Sequence, residues 1–298
     1  MTSNFGAWEI SRGSELFPPG LLQLTDSFET LYGIGDKHIL TKPCLGVIGA
    51  RRATPYGIAA AEAAGRIAAE CGIAVISGGA MGCDFAAAEA CLKQGGNTIV
   101  VAGTGADITY PKSSGWVFDM ARSGRGCVVS AEVWGQGPRK YTFPRRNKII
   151  AALCRCLLIT EAGLPSGTMS TAAAAEALGR GLYAVPGSIF SPLSRGTNRL
   201  ISQGAAIICD ETALEVQISL DFDVCRLVTQ DLPLEKGRIL SALTACCLRP
   251  EELASKMGED VLTVVRTLTD YESRGFVQRL PDGRFSLTKE SYLGDNRA

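Results

Sequence analysis

The chain has 298 residues, 46% of them hydrophobic, and its 30 basic side chains are balanced by 30 acidic ones. This is enough for one large or two modest domains with a real core. The zero net charge argues against a protein coated in positive charge for nucleic acid or a membrane surface, although a local basic patch is compatible with it.

The eleven cysteines include no CxxC pair, and the only histidine is His38. Zinc and a disulfide framework are therefore not indicated, and we expect reduced, buried thiols. The sequence shows neither a signal peptide nor an apolar stretch of about 18 residues. We expect a soluble cytoplasmic protein without membrane contact, bound metal or cofactor.

Residues 1–44 form a partly apolar N-terminal extension, which we expect to pack on the sheet of the main domain. From residue 45 to 212, short apolar runs alternate with helical patterns such as the one that starts with Thr54 as N-cap and Pro55. This alternation predicts an α/β domain with a doubly wound, mostly parallel sheet. The predicted strands lie at 45–50, 72–77, 97–103, 126–132, 154–162, 181–187 and 204–210.

Alanine and glycine become rare after the last predicted strand, so we place a linker at 213–232. Residues 233–292 read as three helices and a hairpin around Pro-Asp-Gly, which indicates a small C-terminal winged-helix domain. The acids of its last predicted helix outnumber the cations there, which is unfavourable for duplex DNA. We expect this domain to have a protein-contact or regulatory role instead of reading duplex DNA.

Two predicted strand-to-helix turns have the composition of anion sites. Gly49 and Arg51 precede a helix whose free N–H groups favour phosphate. Ser166, Gly167 and Thr168 open a later helix and are suited to form a small nest of N–H groups. Ordinary turns and ordinary capping explain both compositions equally well at this stage. Neither turn has GxGxxG spacing, so a nicotinamide cofactor is poorly supported.

Two further glycine turns carry aspartates, Asp84 and Asp107. A carboxylate beside a phosphate would repel it. We therefore expect both aspartates to cap helices or hold loops.

The segment 139–150, RKYTFPRRNKII, places rings among a block of cations. Pro144 favours the first helical position, which would place the cations after it in a first turn, where they oppose the helix dipole. Such a local conflict is typical of functional sites. Charge mixed with rings favours single-stranded nucleic acid, because phosphates meet cations and bases stack on rings. The alternative is a solvated basic loop with its rings in the core.

Six blocks in colinear order, from about residue 10 to 210, resemble the bacterial DprA/Smf family (DNA processing protein A). They are GVIGARRATPYG, SGGAMGCDFAAA, GTGADITYP, SAEVWGQGPRKYTFPRRNKIIAAL, TEAGLPSGTMSTAAAAEALGRGLYAVPG and SRGTNRLISQGA. The resemblance implies an extended Rossmann-like domain that binds single-stranded DNA and forms a homodimer. It also implies loading of the recombinase RecA onto strands coated by single-strand-binding protein, in natural transformation and recombination.

The resemblance also implies which residues form the DNA pocket: Arg51, Lys140, Phe143, Arg146 and Asn147. The turn chemistry and the basic segment complete the candidate interface, which comprises Gly49, Arg51, Arg139, Lys140, Phe143, Arg145, Arg146, Asn147, Lys148, Ser166, Gly167 and Thr168. Three positions depart from the family pattern. Met81 replaces an arginine, Ala88 replaces a common histidine, and Ser114 stands near the place of an asparagine.

No enzymatic activity is expected, because the sequence has neither a Walker A motif nor a Ser/His or metal cluster. The SGTMSTAAAAE turn is faintly similar to that of the LOG-like, cytokinin-activating nucleotide phosphoribohydrolases. It lacks their double glycine, and its acid, Glu176, comes too late. A third alternative is a nucleotide sensor that binds a small phosphate ligand in the same loops.

Overall fold

The computed structural model describes residues 6–24, 28–224, 239–240, 242–243, 247–288 and 291. The chain divides into two compact units, Met1–Val228 and Thr229–Ala298. Residues 225–238 lie outside the described residues, and so do the second part of the predicted linker and the start of the predicted winged helix.

A nine-stranded sheet runs through the first unit. Its strands follow the order β1-β2-β6-β5-β4-β3-β7-β8-β9, and neighbours from β6 to β9 are parallel. The strands are β1 (Ala7–Ser11), β2 (Thr30–Gly35), β3 (Cys44–Ile48), β4 (Ala74–Ser77), β5 (Thr98–Val101), β6 (Gly126–Ser130), β7 (Cys156–Ile159), β8 (Gly181–Ala184) and β9 (Ala206–Ile207). All seven predicted strands are present, and the α/β, doubly wound, mostly parallel prediction is confirmed.

Helices cover both faces of this sheet. They are α1 (Pro55–Glu70), α2 (Cys83–Lys93), α3 (Gly115–Arg122), α4 (Thr142–Leu153), α5 (Gly167–Ala177), α6 (Arg195–Ser202) and α7 (Glu211–Phe222). One core holds buried residues of α1, α2 and α7, and another holds those of α4, α5 and α6. Burial on both faces explains why the central strands are continuously apolar.

Two predictions about the ends of this domain need correction. The N-terminal extension contributes β1 and β2 to the sheet as antiparallel strands, instead of only packing on it. The first part of the predicted linker is α7, which Asp210 caps through Ala213 N. Leu214, Ile218 and Phe222 bury the inner face of α7, so this segment belongs to the core.

The second unit contains two helices, α8 (Pro250–Met257) and α9 (Val261–Ser273), followed by an antiparallel pair, β10 (Val277–Arg279) and β11 (Phe285–Leu287). Its own core includes Leu253, Leu268 and Phe285. The predicted first helix of a winged helix falls mostly on undescribed residues, so that assignment stays a prediction.

Within the described residues, no helix combines the length and apolar character needed to cross a membrane. The same residues include no group of three or more His, Cys, Asp or Glu side chains placed to hold a metal ion.

Candidate nucleic-acid interface

A cavity of about 490 Å³ opens at the carboxyl ends of β3 and β7. These neighbouring strands are followed by helices on opposite faces of the sheet, which makes this the topological switch point where ligands bind in open α/β sheets. Four of the residues that line the cavity are basic or acidic: Arg51, Arg52, Asp84 and Arg146. Predicted residues from three separate segments meet here, namely Gly49, Arg51, Arg146, Asn147, Ser166, Gly167 and Thr168.

The turn between β3 and α1 is held rigidly. A methyl group at Gly49 would lie 2.6 Å from Cys83 Sγ, so only glycine fits this close approach. Thr54 caps α1 by accepting from Gly57 N, and the buried Glu161 carboxylate accepts from both Thr54 N and Thr54 Oγ1. Arg51 and Arg52, which this turn carries, are exposed to solvent.

The second wall is the turn between β7 and α5. Thr168 Oγ1 donates to Gly49 O over 3.0 Å and so ties the two turns together. Ser166 is the N-cap residue of α5, but its side chain makes no capping bond. Ser166 Oγ is buried and has no partner among the described residues. An uncapped helix start with a spare hydroxyl can donate hydrogen bonds to an anion.

Arg146 is buried, with 7% of its surface exposed, and reaches the cavity from α4. Its Nη1 lies 4.0 Å from Asp84 Oδ2 and donates to Asn147 Oδ1, while its Nε has no partner in the described part of the chain. The guanidinium packs so closely on Gly78 that a side chain there would overlap it. The fold therefore provides this predicted pocket residue with a buried counter-ion.

Burial dominates the titration of this pair. It raises the pKa of Asp84, against the attraction of Arg146 and the N–H groups of Gly49 and Gly78. It lowers the pKa of Arg146, which also feels the repulsion of Arg51. Asp84 thus holds the turn at Gly49 to the turn at Gly78, as predicted. Asp107 likewise accepts from Gly135 N, so the loop-holding prediction is confirmed for both aspartates.

Phe143 lies in a smaller cavity of about 50 Å³ that Arg51 and Arg146 also line. The Arg51 guanidinium carbon stands 5.5 Å from the centre of the Phe143 ring, a cation–π distance. Tyr110 packs on the same ring, with 5.9 Å between centroids. Met81, 48% exposed, lines this cavity where related sequences are expected to carry an arginine.

The other predicted cations lie outside the two cavity linings. Arg139 and Lys140 are exposed in the loop before α4, and Arg139 donates to Tyr141 Oη. Arg145 turns away toward Glu132, at 3.2 Å, and lies over the Phe28 ring, so it is already neutralised. Lys148 is half-buried.

Helix α4 begins at Thr142, two residues before the predicted start at Pro144. Thr142 Oγ1 bonds to Gly103 O and Arg139 O, which fixes the chain at this point. Arg145 thus stands in the first turn as predicted, where it pairs with an acid of the same unit and not with an outside anion.

Sequence reasoning missed three participants. Arg52 lines the cavity, Tyr110 supports Phe143, and the buried Glu161 fixes the start of α1. Arg52 could have been predicted, because it directly follows Arg51 in the GARR turn. For Glu161 the sequence held no signal, because its partner Thr54 is distant along the chain.

A doubly wound sheet with helices on both faces and a cavity at its switch point defines a Rossmann-like protein, and three arginines line this cavity. Residues 9–218 match the family model of DNA recombination-mediator protein A, and the chain belongs to this family.

Two relatives of known sequence illustrate the membership. Protein Smf of Escherichia coli is 31% identical over 299 residues, which cover 95% of this chain and 78% of that protein. DNA processing protein DprA of Streptococcus pneumoniae is 36% identical over 194 residues, covering 65% of this chain and 68% of that protein.

Solved structures agree with the fold. The X-ray structure of DNA processing protein A from Streptococcus pneumoniae superposes with a TM-score of 0.66 and 33% identity, covering 72% of this chain and 75% of that one. DNA processing protein A from Helicobacter pylori, in a structure concerned with its single-stranded DNA binding mode, gives a TM-score of 0.65 at 29% identity. The match covers 74% of this chain and 99% of that one.

Proposed function

We propose that this protein binds single-stranded DNA in the switch-point cavity and acts as a non-enzymatic mediator of DNA recombination. The observation that carries the proposal is the sorting of charge at this edge of the sheet. Arg51 and Arg52 are exposed on a rigid turn, whereas the acids that line or support it, Asp84 and Glu161, are buried and hydrogen-bonded. Single-stranded DNA binding by the related DNA processing protein A of Helicobacter pylori supports the same ligand class.

The chemistry of each part suits an unpaired strand. Arginine forks and the uncapped start of α5 bind phosphate oxygens. The Phe143 ring offers a face on which a base can stack, and stacking tolerates every base because each has a π-face. In a duplex the bases are already stacked and paired inside the helix, so the ring gains no partner there. Selectivity for single strands follows from the combination.

The buried Arg146 has a different role from the exposed arginines in this proposal. Its charge is balanced by Asp84, so it adds little to long-range attraction. Its Nε is a buried donor without a partner in the described part of the chain, and in this proposal a phosphate oxygen that enters the cavity accepts from it. Arg139 and Lys140, exposed just before α4, would attract the phosphates of the flanking strand.

The proposal extends to the partners that the family resemblance implies. A protein that holds a strand by its backbone and performs no chemistry on it can pass that strand on. We propose that a homodimer of this chain loads RecA onto strands coated by single-strand-binding protein. Co-sedimentation of purified RecA with this protein and a coated strand tests this step separately from DNA binding.

A nucleotide sensor is the second candidate, and one observation favours it. A volume of about 490 Å³ lies within the 300–1,000 Å³ that is typical of small-molecule sites. Fluorescence anisotropy with a labelled oligo(dT) strand separates the candidates, with duplex DNA and mononucleotides as competitors. A strand-binding protein resists both competitors, whereas a sensor is displaced by mononucleotide at comparable concentration.

The salt dependence of the same titration counts the phosphates. If about three to five phosphates are neutralised, log Kd for single strands rises with log salt at a slope of about 2 to 3.5. A slope near zero, or duplex bound as tightly as single strands, would contradict the proposed function.

A further inference from the structure

A surface turn near the cavity exposes two large apolar side chains. Ile189 and Phe190 lie between β8 and α6, and their exposed fractions of 78% and 87% exceed those of every other large hydrophobic residue in the described ranges. The central positions of turns usually hold glycine, proline or small polar residues. An apolar pair that buries nothing is a local conflict of the kind found at functional positions.

The hydrogen bonds of this turn hold Ile189 and Phe190 at its tip, where both side chains are exposed. Ser191 N donates to Ser188 O over 3.0 Å, which places Ile189 and Phe190 at the two central positions. Phe190 N also donates to Ser188 Oγ. At the base of the loop, Gly187 exchanges two hydrogen bonds with the Asn198 side chain, at 3.0 and 2.9 Å. These hydrogen bonds therefore fix the backbone that carries the exposed Phe190 ring.

The loop is joined to the walls of the cavity. Leu193, which lines the cavity, follows Phe190 by three residues, so no more than about 10 Å of backbone separates them. On the other side, Tyr56 in the first turn of α1 donates its hydroxyl to Pro186 O over 2.7 Å. This bond ties the loop to the helix that follows Arg51 and Arg52.

The surrounding sequence carries only positive charge. Between Glu176 and Asp210 the chain has three arginines and no acid or lysine. One of the three, Arg195, is exposed at the start of α6, directly after the loop. A ring followed closely by an arginine repeats the pairing of Phe143 with Arg51.

We propose that Phe190 is a second base-stacking position, which receives a nucleotide of the same strand after that strand has crossed the cavity. Arg195 meets the phosphate beside it. The inference rests on the proposed function and deepens it, because it gives the strand a path with a ring at each end. Single-stranded DNA is the ligand whose repeating alternation of charge and flat face matches this arrangement.

The dependence of affinity on strand length tests this path. Anisotropy titrations with oligo(dT) strands of about 4 to about 16 nucleotides span the site sizes of such proteins. Phe190→Ala should match the wild type on the shortest strands and bind the longest ones about fivefold or more weakly. Phe190→Trp should retain the wild-type length dependence. Phe190→Leu, which keeps an apolar side chain but lacks a ring, should behave like the alanine variant.

Leu22→Ala removes another exposed apolar side chain, remote in sequence, and serves as the matched control with no expected change. If Phe143→Ala weakens binding at every length while Phe190→Ala equals the wild type at every length, the inference fails and the proposed function stands. If the wild type binds no strand, both fail. A change confined to oligomeric state in light scattering, with length dependence intact, would assign the tip to a contact between copies and overturn the inference.

Discussion

The cavity of the first unit and helix α9 of the second unit present charge in opposite ways. At the cavity, the cations Arg51 and Arg52 are exposed, and the acid Asp84 is buried beneath them. On α9, the flanking acids are exposed together with the cations, and Arg274 pairs with Asp270 over 3.0 Å. The exposed apolar Leu262 lies on the same helix.

This difference shows that a count of charges along a segment does not identify a nucleic-acid surface. What matters is which charges remain unpaired and exposed after folding. The cavity buries its acid and exposes two of its three cations, whereas α9 exposes both kinds of charge. We therefore expect single-stranded DNA at the cavity and a protein partner at α9.

The largest effect should come from the buried charge pair. Arg146→Met leaves Asp84 buried without its counter-ion, which we expect to lower the free energy of unfolding by about 3–5 kcal/mol. Urea denaturation measures this. The comparison is Arg274→Ala in α9, which breaks an exposed pair and should change stability by less than about 1 kcal/mol. If both substitutions lower the free energy of unfolding equally, the buried pair is no more important for stability than the exposed pair, and the contrast between the two regions fails.

The pH dependence of the Arg146→Met variant follows from the direction of the Asp84 shift. Burial already raises the pKa of Asp84, and loss of Arg146 raises it further. A carboxyl whose pKa is raised in the folded state stabilises the fold at low pH, and this contribution is lost as the pH rises through the folded pKa. The variant should thus regain stability as the pH falls from neutrality toward the ordinary pKa of a carboxyl group. If the stability of the variant does not rise as the pH falls, a group other than Asp84 causes the loss of stability.

The next largest effect concerns stacking. Phe143→Ala removes the ring that lies between Arg51 and Tyr110, and should weaken single-strand binding by about 1–3 kcal/mol. The slope of log Kd against log salt should stay as in the wild type, because no charge is removed. Anisotropy at several salt concentrations measures both quantities. A flattened slope would mean that the ring acts by positioning Arg51, and Phe143→Leu would then fail to restore the slope.

Arg51→Ala should have a somewhat smaller effect on affinity and a distinct salt signature. Loss of one charge-assisted phosphate contact should raise Kd about tenfold. The salt slope should flatten by about 0.7, the value for one phosphate on a single strand. Arg51→Lys keeps the charge but not the planar fork, so it should restore the slope and only part of the affinity. An unchanged slope in Arg51→Ala would place the phosphates on another surface.

The sequence predicted the framework well because the central strands are buried on both faces and read as continuous apolar runs. It missed β1 and β2, in which residues of different exposure alternate, and it read α7 as linker because alanine and glycine are rare there. In each case the elements that pack against the segment, and not its local composition, determine its structure. These packing partners lie far away in the sequence, so the local pattern does not reveal them.

The candidate site was predicted in part for the same reason. Gly49, Arg51 and Ser166 follow strands that end at one edge, so their meeting could be foreseen. The sequence could not predict that Arg145 points toward Glu132 while Arg146 points into the cavity. Successive residues on a helix point about 100° apart, so a start misplaced by two residues changes which one faces the cavity. The buried partner Asp84 lies far away in sequence.

Met81→Arg should strengthen binding, by less than Arg51→Ala weakens it. Met81 is half-exposed in the lining of the small cavity, so an arginine there would reach solvent and add one cation. We expect about a threefold tighter Kd and a salt slope steeper by about 0.7. Met81→Gln, a polar but uncharged control, should leave the slope as it is. A steeper slope in the glutamine variant would contradict the electrostatic explanation.

The smallest expected effect is the most direct test of the contrast between the two regions. Arg266 is exposed on α9, and its substitution by alanine removes one cation, as Arg51→Ala does at the cavity. Because the acids on and beside α9 outnumber the cations, a strand gains little there, and Arg266→Ala should leave both Kd and the salt slope unchanged within error. Should the slope instead flatten by about 0.7, the second unit contacts the phosphates as well. The exposed acids of α9 would then have to be neutralised by a partner before DNA could approach.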